Sequence, residues 1–374
     1  MEKYILSLEL HVMKSLVYFF LENMALIIAF MFITLKAKNF VVKSMTSLWF
    51  WLSPFVAGFL SMSVMINGFV YEGMRLDLRE VPIFIISYLG GWKVGLLAII
   101  IPSLYRASLM GPTVMEGILQ GILLPAVIGS LFYRKNHTIL YPFINFRHML
   151  VGISTYELLK SIFILSTTPI PVHIVIVFAL FSALVVSVIT LMLNDDTQNI
   201  KLRKQLEFHS NHDPLTTLPN MRKFNHEVQL LIENKIPYAI AMVDVDYFKE
   251  FNDNHGHLNG DHVLQNIGNL LTKSCRGTDI VARYGGEEFI ICFSNVSEMG
   301  DLSEAAERLR KIVENHSFSV EGKMLDVQVT ISIGISFSVE GKALKQVIKE
   351  ADEALYLSKE RGRNCVSYYE SSFS

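Results

Sequence analysis

Residues 280–293 read Ile280-Val281-Ala282-Arg283-Tyr284-Gly285-Gly286-Glu287-Glu288-Phe289-Ile290-Ile291-Cys292-Phe293. Two β-prone runs flank a pair of glycines, which predicts a hairpin turning at Gly285-Gly286. A tip without side chains lets phosphate groups approach the backbone closely. Two carboxylates, Glu287 and Glu288, follow at once.

Upstream, Tyr238-Ala239-Ile240-Ala241-Met242-Val243 is apolar throughout and suits a buried strand. It ends in Asp244-Val245-Asp246, and a carboxylate held rigidly where a central strand ends is a common divalent-metal ligand. Residues 247–261 read as a polar loop, with a helix from about Asp261. Before the strand, Asp213 and Thr217 read as N-cap and turn residues. Downstream, 327–336 reads as a strand, and 351–360 as an amphipathic helix on Ala351, Ala354, Leu355 and Leu357. Lys359 sits on its last turn and Arg363 just beyond.

Alternating strands and helices, two acidic clusters, a glycine tip and a late basic pair fit phosphoryl transfer with divalent metal ions. Each element alone is common: a DxD arises by chance, and a Gly-Gly tip is more often a plain turn. Surface carboxylates are the competing reading.

The rest of the chain has a different character. Only 18% of residues are charged, against about 25% in soluble proteins. The deficit lies before residue 194, so a membrane half precedes a soluble half. Apolar runs long enough to span a bilayer lie at roughly 15–35, 47–70, 81–105, 114–133, 148–166 and 172–193. Gly90-Gly91-Trp92-Lys93 cuts the third run. A straight helix would bury Lys93 at the membrane centre, at a cost of about 2.5–3.5 kcal/mol. Two shorter helices meeting at the glycines bring it to a surface.

The broken version also satisfies the positive-inside rule. With the soluble half in the cytoplasm, Lys36, Lys38, Lys43, Lys93, Arg134, Lys135 and Arg147 fall inside, and the N-terminus outside. Arg79 and Arg106 then flank the broken element at the outer surface. Two guanidinium groups there are candidates for an anion clamp. The competing reading has them snorkel to headgroups or pair with Asp77 and Glu80. A cleavable signal is not expected, because Glu2, Glu9 and Glu22 interrupt the N-terminus.

Residues 194–210 are polar, with Leu202 and Leu206 one turn apart. They read equally as a helix that pairs with a second copy or as a solvated linker. Cys275, Cys292 and Cys365 form neither a disulfide framework nor a zinc pattern. A formal net charge of -2 gives no general attraction to nucleic acid, and no nucleic-acid partner is expected.

The soluble half resembles the GGDEF-family diguanylate cyclases over about 205–370. The matching segments are Asp213-Pro214-Leu215-Thr216, Leu218-Pro219-Asn220, Asp244, Asp246, Phe248-Lys249, Asn252-Asp253, Gly256-His257, Gly260-Asp261, Arg276, Asp279 and Arg283-Tyr284-Gly285-Gly286-Glu287-Glu288-Phe289. Ser332-Ile333-Gly334, Ala351-Asp352, Ala354-Leu355-Tyr356, Lys359 and Gly362-Arg363-Asn364 complete them. The tip carries Glu where the family name has Asp.

The membrane half, over roughly 25–190, resembles the five-transmembrane receptor region of LytS type. That likeness rests on Asn67, Asp77-Leu78-Arg79, Gly90-Gly91, Arg106, Gly111-Pro112 and Glu116-Gly117.

These resemblances imply an all-α polytopic membrane bundle followed by an α/β (α+β, nucleotide-cyclase-like) domain with a central, mainly antiparallel sheet flanked by helices. The expected divisions are 1–193, a helical linker at 194–211, and the catalytic domain at 212–374. The implied reaction joins two GTP molecules into cyclic di-GMP within a homodimer.

Asp244 and Glu287, with the Val245 carbonyl, are the implied ligands of two Mg²⁺ or Mn²⁺ ions per GTP site, and Glu288 lies close to the reacting hydroxyl. Asn252 and Asp261 are the implied guanine readers. The Phe248 and Lys249 amides, with Lys359 and Arg363, are the implied phosphate contacts. Arg276 and Asp279 match the family's RxxD product-inhibition site, with an i,i+3 surface ion pair as the alternative.

The implied location is multi-pass in a bacterial plasma membrane, with a small anionic extracellular ligand at Arg79 and Arg106. Two further readings stay open: a non-enzymatic nucleotide receptor, and a transporter-like membrane module carrying a regulatory domain.

Overall fold

The structure, a computed structural model, describes residues 2–41, 46–66, 68–71, 74–134, 142–168, 170–296, 299–320, 323–338 and 342–369. Lys43, Asn67 and Lys135 lie outside the described residues. The chain forms two compact units, Met1–Leu202 and Arg203–Ser374.

The first unit is helical. Helices α1 (Glu2–Val41) and α2 (Thr46–Ile66) lead into a short antiparallel hairpin, β1 (Phe69–Tyr71) and β2 (Met74–Leu76), which the apolar periodicity did not reveal. Helices α3 (Glu80–Ala98), α4 (Ile100–Ser108), α5 (Val114–Ile118), α6 (Leu124–Leu131), α7 (Phe146–Thr167) and α8 (Val172–Asn211) follow. A π-helical turn at Leu119–Leu123 joins α5 to α6. Among the described residues six helical segments are long and apolar enough to cross a membrane: His11–Lys38, Leu48–Ile66, Glu80–Ala98, Val114–Leu131, Phe146–Thr167 and Val172–Asn211.

The break expected in the third run lies at Gly91, whose φ of 72° and ψ of -169° interrupt α3. A Cβ at Gly95 would lie 2.7 Å from Ser87 Oγ. Eight residues of straight helix would separate those positions by about 12 Å, so the chain folds back on itself. The first leg is buried from Glu80 through Leu89, and Lys93 stands exposed beside the fold. Non-helical backbone at membrane depth is tolerated where protein surrounds it. Gly91 meets that condition: it is buried against the Tyr133 ring.

The connector continues the last span without interruption, because α8 runs on to Asn211. The division between the two units falls within that helix.

The second unit contains α9 (Met221–Glu233), β3 (Tyr238–Val245), α10 (Phe248–His255), α11 (His257–Ser274), β4 (Ile280–Gly285), β5 (Glu288–Ser294) and α12 (Met299–Glu314). It continues with β6 (Phe318–Val320), β7 (Lys323–Val327), β8 (Ile331–Phe337), α13 (Leu344–Glu360) and β9 (Val366–Tyr368). Five strands form one sheet in the order β4-β5-β3-β8-β9, antiparallel except for the β8–β9 pair.

Strand alternation explains its two covered faces. Ala239, Ala241, Val243 and Val245 join Val263, Ile267 and Leu271 of α11 and Leu309 and Val313 of α12 in one core. Tyr238, Ile240 and Met242 join Phe224 and Val228 of α9 and Val347, Ala351 and Leu355 of α13 in the other. A strand covered on both faces reads as a continuous apolar run.

Three local expectations change. Residues 247–261 are not a loop: Gly256, at φ 81°, separates two helices, and Asp261 lies within the second. The N-cap of α9 is Asn220, whose side chain accepts from the Lys223 amide at 3.1 Å, while Asp213 closes a turn onto Thr216. Residues 328–330 part β7 from β8 within the run read as one strand.

Candidate functional site

The acidic site forms where β3 ends beside the β4–β5 hairpin. Asp244 stands opposite Glu288 in the β3–β5 register, so both carboxylates project from the same face. The Val245 amide donates to the Glu287 carbonyl at 3.4 Å, which draws the third acid to the same strand end. On that face α13 packs closely on the sheet, because a Cβ at Gly334 would overlap the backbone of Ala351 and Leu355. The last turn of α13 thereby places Lys359 Nζ 2.8 Å from Asp244 Oδ2.

Burial pushes the Asp244 carboxyl above the usual carboxylate range, against the pull of Lys359 and with the push of Glu287 and Asp246. Burial also raises the Glu288 carboxyl, helped by the negative charge of Asp244. Burial and mutual repulsion thus both disfavour the charged forms of these two carboxyls, and a nearby cation favours them. Among the described residues no group of three or more His, Cys, Asp or Glu side chains is arranged to hold a metal. What this strand end offers a cation is the Asp244–Glu287 pair with adjacent backbone oxygen. Oxygen donors alone, with an ammonium already drawn to one of them, fit a hard divalent cation.

The second aspartate of the DxD is structural. Asp246 is 6% exposed and accepts from Thr330 Oγ1 at 2.8 Å, Ser332 Oγ at 2.6 Å and the Asn364 amide at 3.0 Å. It fastens the segment after α13 beside Tyr247. There Arg363 lies with its Cζ 4.5 Å above the Tyr247 ring. Tyr247 and Arg363 both adopt left-handed backbone, at φ 56° and 65°, which costs roughly 1–2 kcal/mol each. Tyr247 also caps α10, so the Phe248 and Lys249 amides open a helix where N–H groups have no intrahelical acceptor.

Asn252 lies on α10 against the start of α11. A Cβ at Gly260 would overlap Asn252 Oδ1, and the Asn252 oxygen is buried without a hydrogen-bond partner. Asp261 follows Gly260 and is exposed.

A further clamp was not legible as a pair. Arg283 donates to both Asp213 oxygens, at 2.9 and 3.1 Å, and to the Gly286 carbonyl at 2.6 Å. It ties the glycine tip to the turn that precedes α9. Both residues stood in recognised motifs, but nothing local links positions 70 apart.

Arg276 and Asp279 lie at the far end of β4 and line a shallow cleft with Asp301 and Arg308. They form no ion pair. The Asp279 carboxylate instead accepts the Arg276 amide at 2.9 Å and the Ser294 amide at 3.1 Å, and Arg276 is exposed.

In the first unit, Arg79 and Arg106 are 4% and 3% exposed. Arg79 pairs bidentately with Asp77, at 2.6 Å through Nε, and Arg106 Nη2 donates to the Thr113 carbonyl at 2.9 Å. Arg106 lies over Gly117 and Arg79 over Gly121, one helical turn apart. Arg79 Nη1, Arg106 Nε and Gln120 Oε1 are buried without partners. Glu80 turns away from Arg79. It accepts from Lys160 Nζ at 3.2 Å and Ser182 Oγ at 2.7 Å.

Residues 210–365 match the family described as diguanylate cyclase, GGDEF domain, and residues 34–200 match the 5TMR of 5TMR-LYT. Diguanylate cyclase A of Treponema denticola is 43% identical over 136 residues, covering 36% of each chain. The uncharacterized protein YhcK of Bacillus subtilis is 29% identical over 335 residues, covering 84% of this chain and 87% of that protein. A crystal structure of the GGDEF domain of DgcB from Caulobacter crescentus, in complex with c-di-GMP, is 30% identical, covers 43% of this chain and 96% of that one, and has a TM-score of 0.40. YhcK apart, the chain spans about a third of the length of the curated relatives it matches first.

Proposed function

We propose, for a chain that joins a 5TMR of the 5TMR-LYT type to a GGDEF domain, that it is a membrane-bound diguanylate cyclase converting two GTP into cyclic di-GMP and two pyrophosphates. One observation carries the reading: the strand end that assembles Asp244, Glu287 and Glu288 also receives Lys359, so acids and a cation meet at the glycine tip.

Asp244 and Glu287, with Val245 oxygen, would hold Mg²⁺ or Mn²⁺, two ions per GTP. When bound, the metal supplies charge neutralisation at phosphate and lowers the pKa of a bound hydroxyl. The chain's own groups do the rest. The Phe248 and Lys249 amides, at a helix N-terminus, bind phosphate oxygens. Lys359 and Arg363 neutralise the β- and γ-phosphates. Asn252 and Asp261 read the guanine edge together, an amide and a carboxylate matching its O6 acceptor and its N1/N2 donors. Glu288 lies where the 3′-hydroxyl of one GTP would meet the α-phosphorus of the other. Each attack forms one O–P bond and expels one pyrophosphate, and two attacks close the ring.

One domain holds one GTP, so the reaction needs a homodimer. Leu202 and Leu206, 55% and 68% exposed on α8, support pairing of that helix with a second copy. The positive-inside reading places the catalytic domain in the cytoplasm. Arg276, with its exposed guanidinium, serves a product-inhibition site together with Asp279. Arg79 and Arg106, which lie over Gly121 and Gly117 and each keep one buried N–H group without a partner, are the proposed sensory site for a small anion, with Asp77 holding Arg79 in place.

The test is turnover. Purified full chain with GTP and Mg²⁺ is expected to yield cyclic di-GMP, and Glu287→Gln to abolish it. A wild-type protein inert under every metal and dimerising condition would refute the enzyme. It would leave a nucleotide receptor.

A further inference from the structure

Asn364 belongs to the segment that delivers Arg363, and no role above uses its side chain. Gly362, Arg363 and Asn364 take three successive left-handed conformations, at φ 107°, 65° and 46°. Such a run is strained for the two residues with side chains, and it persists only where its surroundings hold it.

The hold on Asn364 is threefold. Its amide donates to Asp246 Oδ2 at 3.0 Å. Its Nδ2 donates to Glu314 Oε1 at 2.6 Å, and its Oδ1 accepts from Arg310 Nη1 at 2.7 Å. Glu314 and Arg310 sit one turn apart on α12 and pair with each other at 2.9 Å, while Arg310 also donates to Glu307 at 3.0 Å. Both ends of the Asn364 amide are thus read by opposite charges that are themselves neutralised. Charge-assisted bonds of this kind fix direction as well as position.

The neighbouring bonds point the same way. Arg363 donates its amide to the Ser358 carbonyl at 3.1 Å, one turn back on α13, and its guanidinium stacks on Tyr247. Asp246 and Tyr247 are adjacent in the chain. The Arg363 backbone is therefore held on one side by Asp246 and on the other by α12, a helix that supplies no group to the acidic site.

We infer that Asn364 is a positioning residue for GTP, acting through Arg363, and that the Arg310–Glu314 pair of α12 is the anchor that makes it one. The inference rests on the phosphate role proposed for Arg363. It adds that affinity for the triphosphate depends on a clasp built from α12.

The test measures binding of a non-hydrolysable GTP analogue to the full-length protein with Mg²⁺, alongside thermal unfolding. Asn364→Gly keeps the left-handed backbone and removes both side-chain bonds. It is expected to weaken binding about tenfold, the scale of one misplaced charge-assisted contact, with the fold retained. Glu314→Ala should weaken binding in the same direction. Glu314→Gln, which keeps an acceptor for Asn364, should restore it to within about twofold.

The deciding measurement repeats Asn364→Gly in an Arg363→Ala background, where coupled residues lose their separate effects. There Asn364→Gly should add less than about twofold. The same tenfold loss in that background overturns the inference, because Asn364 would act elsewhere. Wild-type affinity in a folded Asn364→Gly protein overturns it too. Unweakened binding in Arg363→Ala overturns it through the phosphate assignment, and so is told apart from failure of the clasp.

Discussion

Lys359 Nζ reaches Asp244 Oδ2 at 2.8 Å, joining the last turn of α13 to the end of β3. Burial raises the Asp244 carboxyl, and Lys359 is the cation that restrains the rise. Removing the ammonium leaves burial and the neighbouring acids unopposed. Lys359→Met is therefore expected to move the acid limb of the proposed cyclase activity to higher pH. Initial rates of cyclic di-GMP formation at saturating GTP, measured across pH, check this. An unmoved limb would mean that the contact does not control Asp244.

Glu288 stands opposite Asp244, and burial followed by that charge raises its carboxyl. A folded-state pKa above the unfolded value means that ionisation opposes folding. The stabilising contribution is complete below the unfolded pKa and lost as pH rises through the folded one. Glu288→Gln is thus expected to raise the Tm of the metal-free protein at neutral pH by about 1–3 °C. The gain should vanish below about pH 4. Thermal unfolding in chelator decides it, and a lower Tm at neutral pH would count against the argument.

Arg283 bridges Asp213 and the Gly286 carbonyl, so it holds the glycine tip from outside. Burial pushes the Asp213 carboxyl up, but bonds from the Thr216 amide and hydroxyl and from Arg283 outweigh it and leave it below the usual range. Its contribution is present above the unfolded pKa and lost as pH falls through the folded one. Arg283→Ala and Asp213→Asn are each expected to cost about 1–2 kcal/mol in stability. Each should also lower kcat. In the double variant the two losses should be less than additive, since the residues share one contact. Fully additive losses in kcat would show that the residues act separately.

Arg276 and Asp279 share a motif but behave differently. The Asp279 carboxylate satisfies two backbone amides, so its loss damages the fold, whereas the exposed Arg276 guanidinium has no such duty. Arg276→Ala is expected to weaken product inhibition while the initial rate stays within about twofold. Progress curves with added cyclic di-GMP separate the two effects, and undiminished inhibition would remove Arg276 from the product site.

Much of the architecture was legible because periodicity and punctuation are local. The fully buried β3 read as an apolar run, the glycine tip read as a hairpin, and the expense of Lys93 at membrane depth pointed to the break at Gly91. The helix α10 was missed, since Asn252, Asp253 and Asn254 are weak helix formers. The hairpin β1–β2 was missed because three-residue strands carry too little alternation to register. The site residues themselves came from family resemblance, which assigns roles by position in a motif.

By itself, then, the sequence determined the division into an apolar helical half and an α/β half, the strands that carry the acids, and the identity of the motif residues. Tertiary structure alone decided who pairs with whom. Arg79 clasps Asp77 while Glu80 turns to Lys160 and Ser182. Asp246 fastens Thr330, Ser332 and the Asn364 amide, and Asn364 is gripped by Arg310 and Glu314. The physical reason is that periodicity depends on neighbours in the chain. The partner of a desolvated charge depends on which groups folding brings within hydrogen-bond reach.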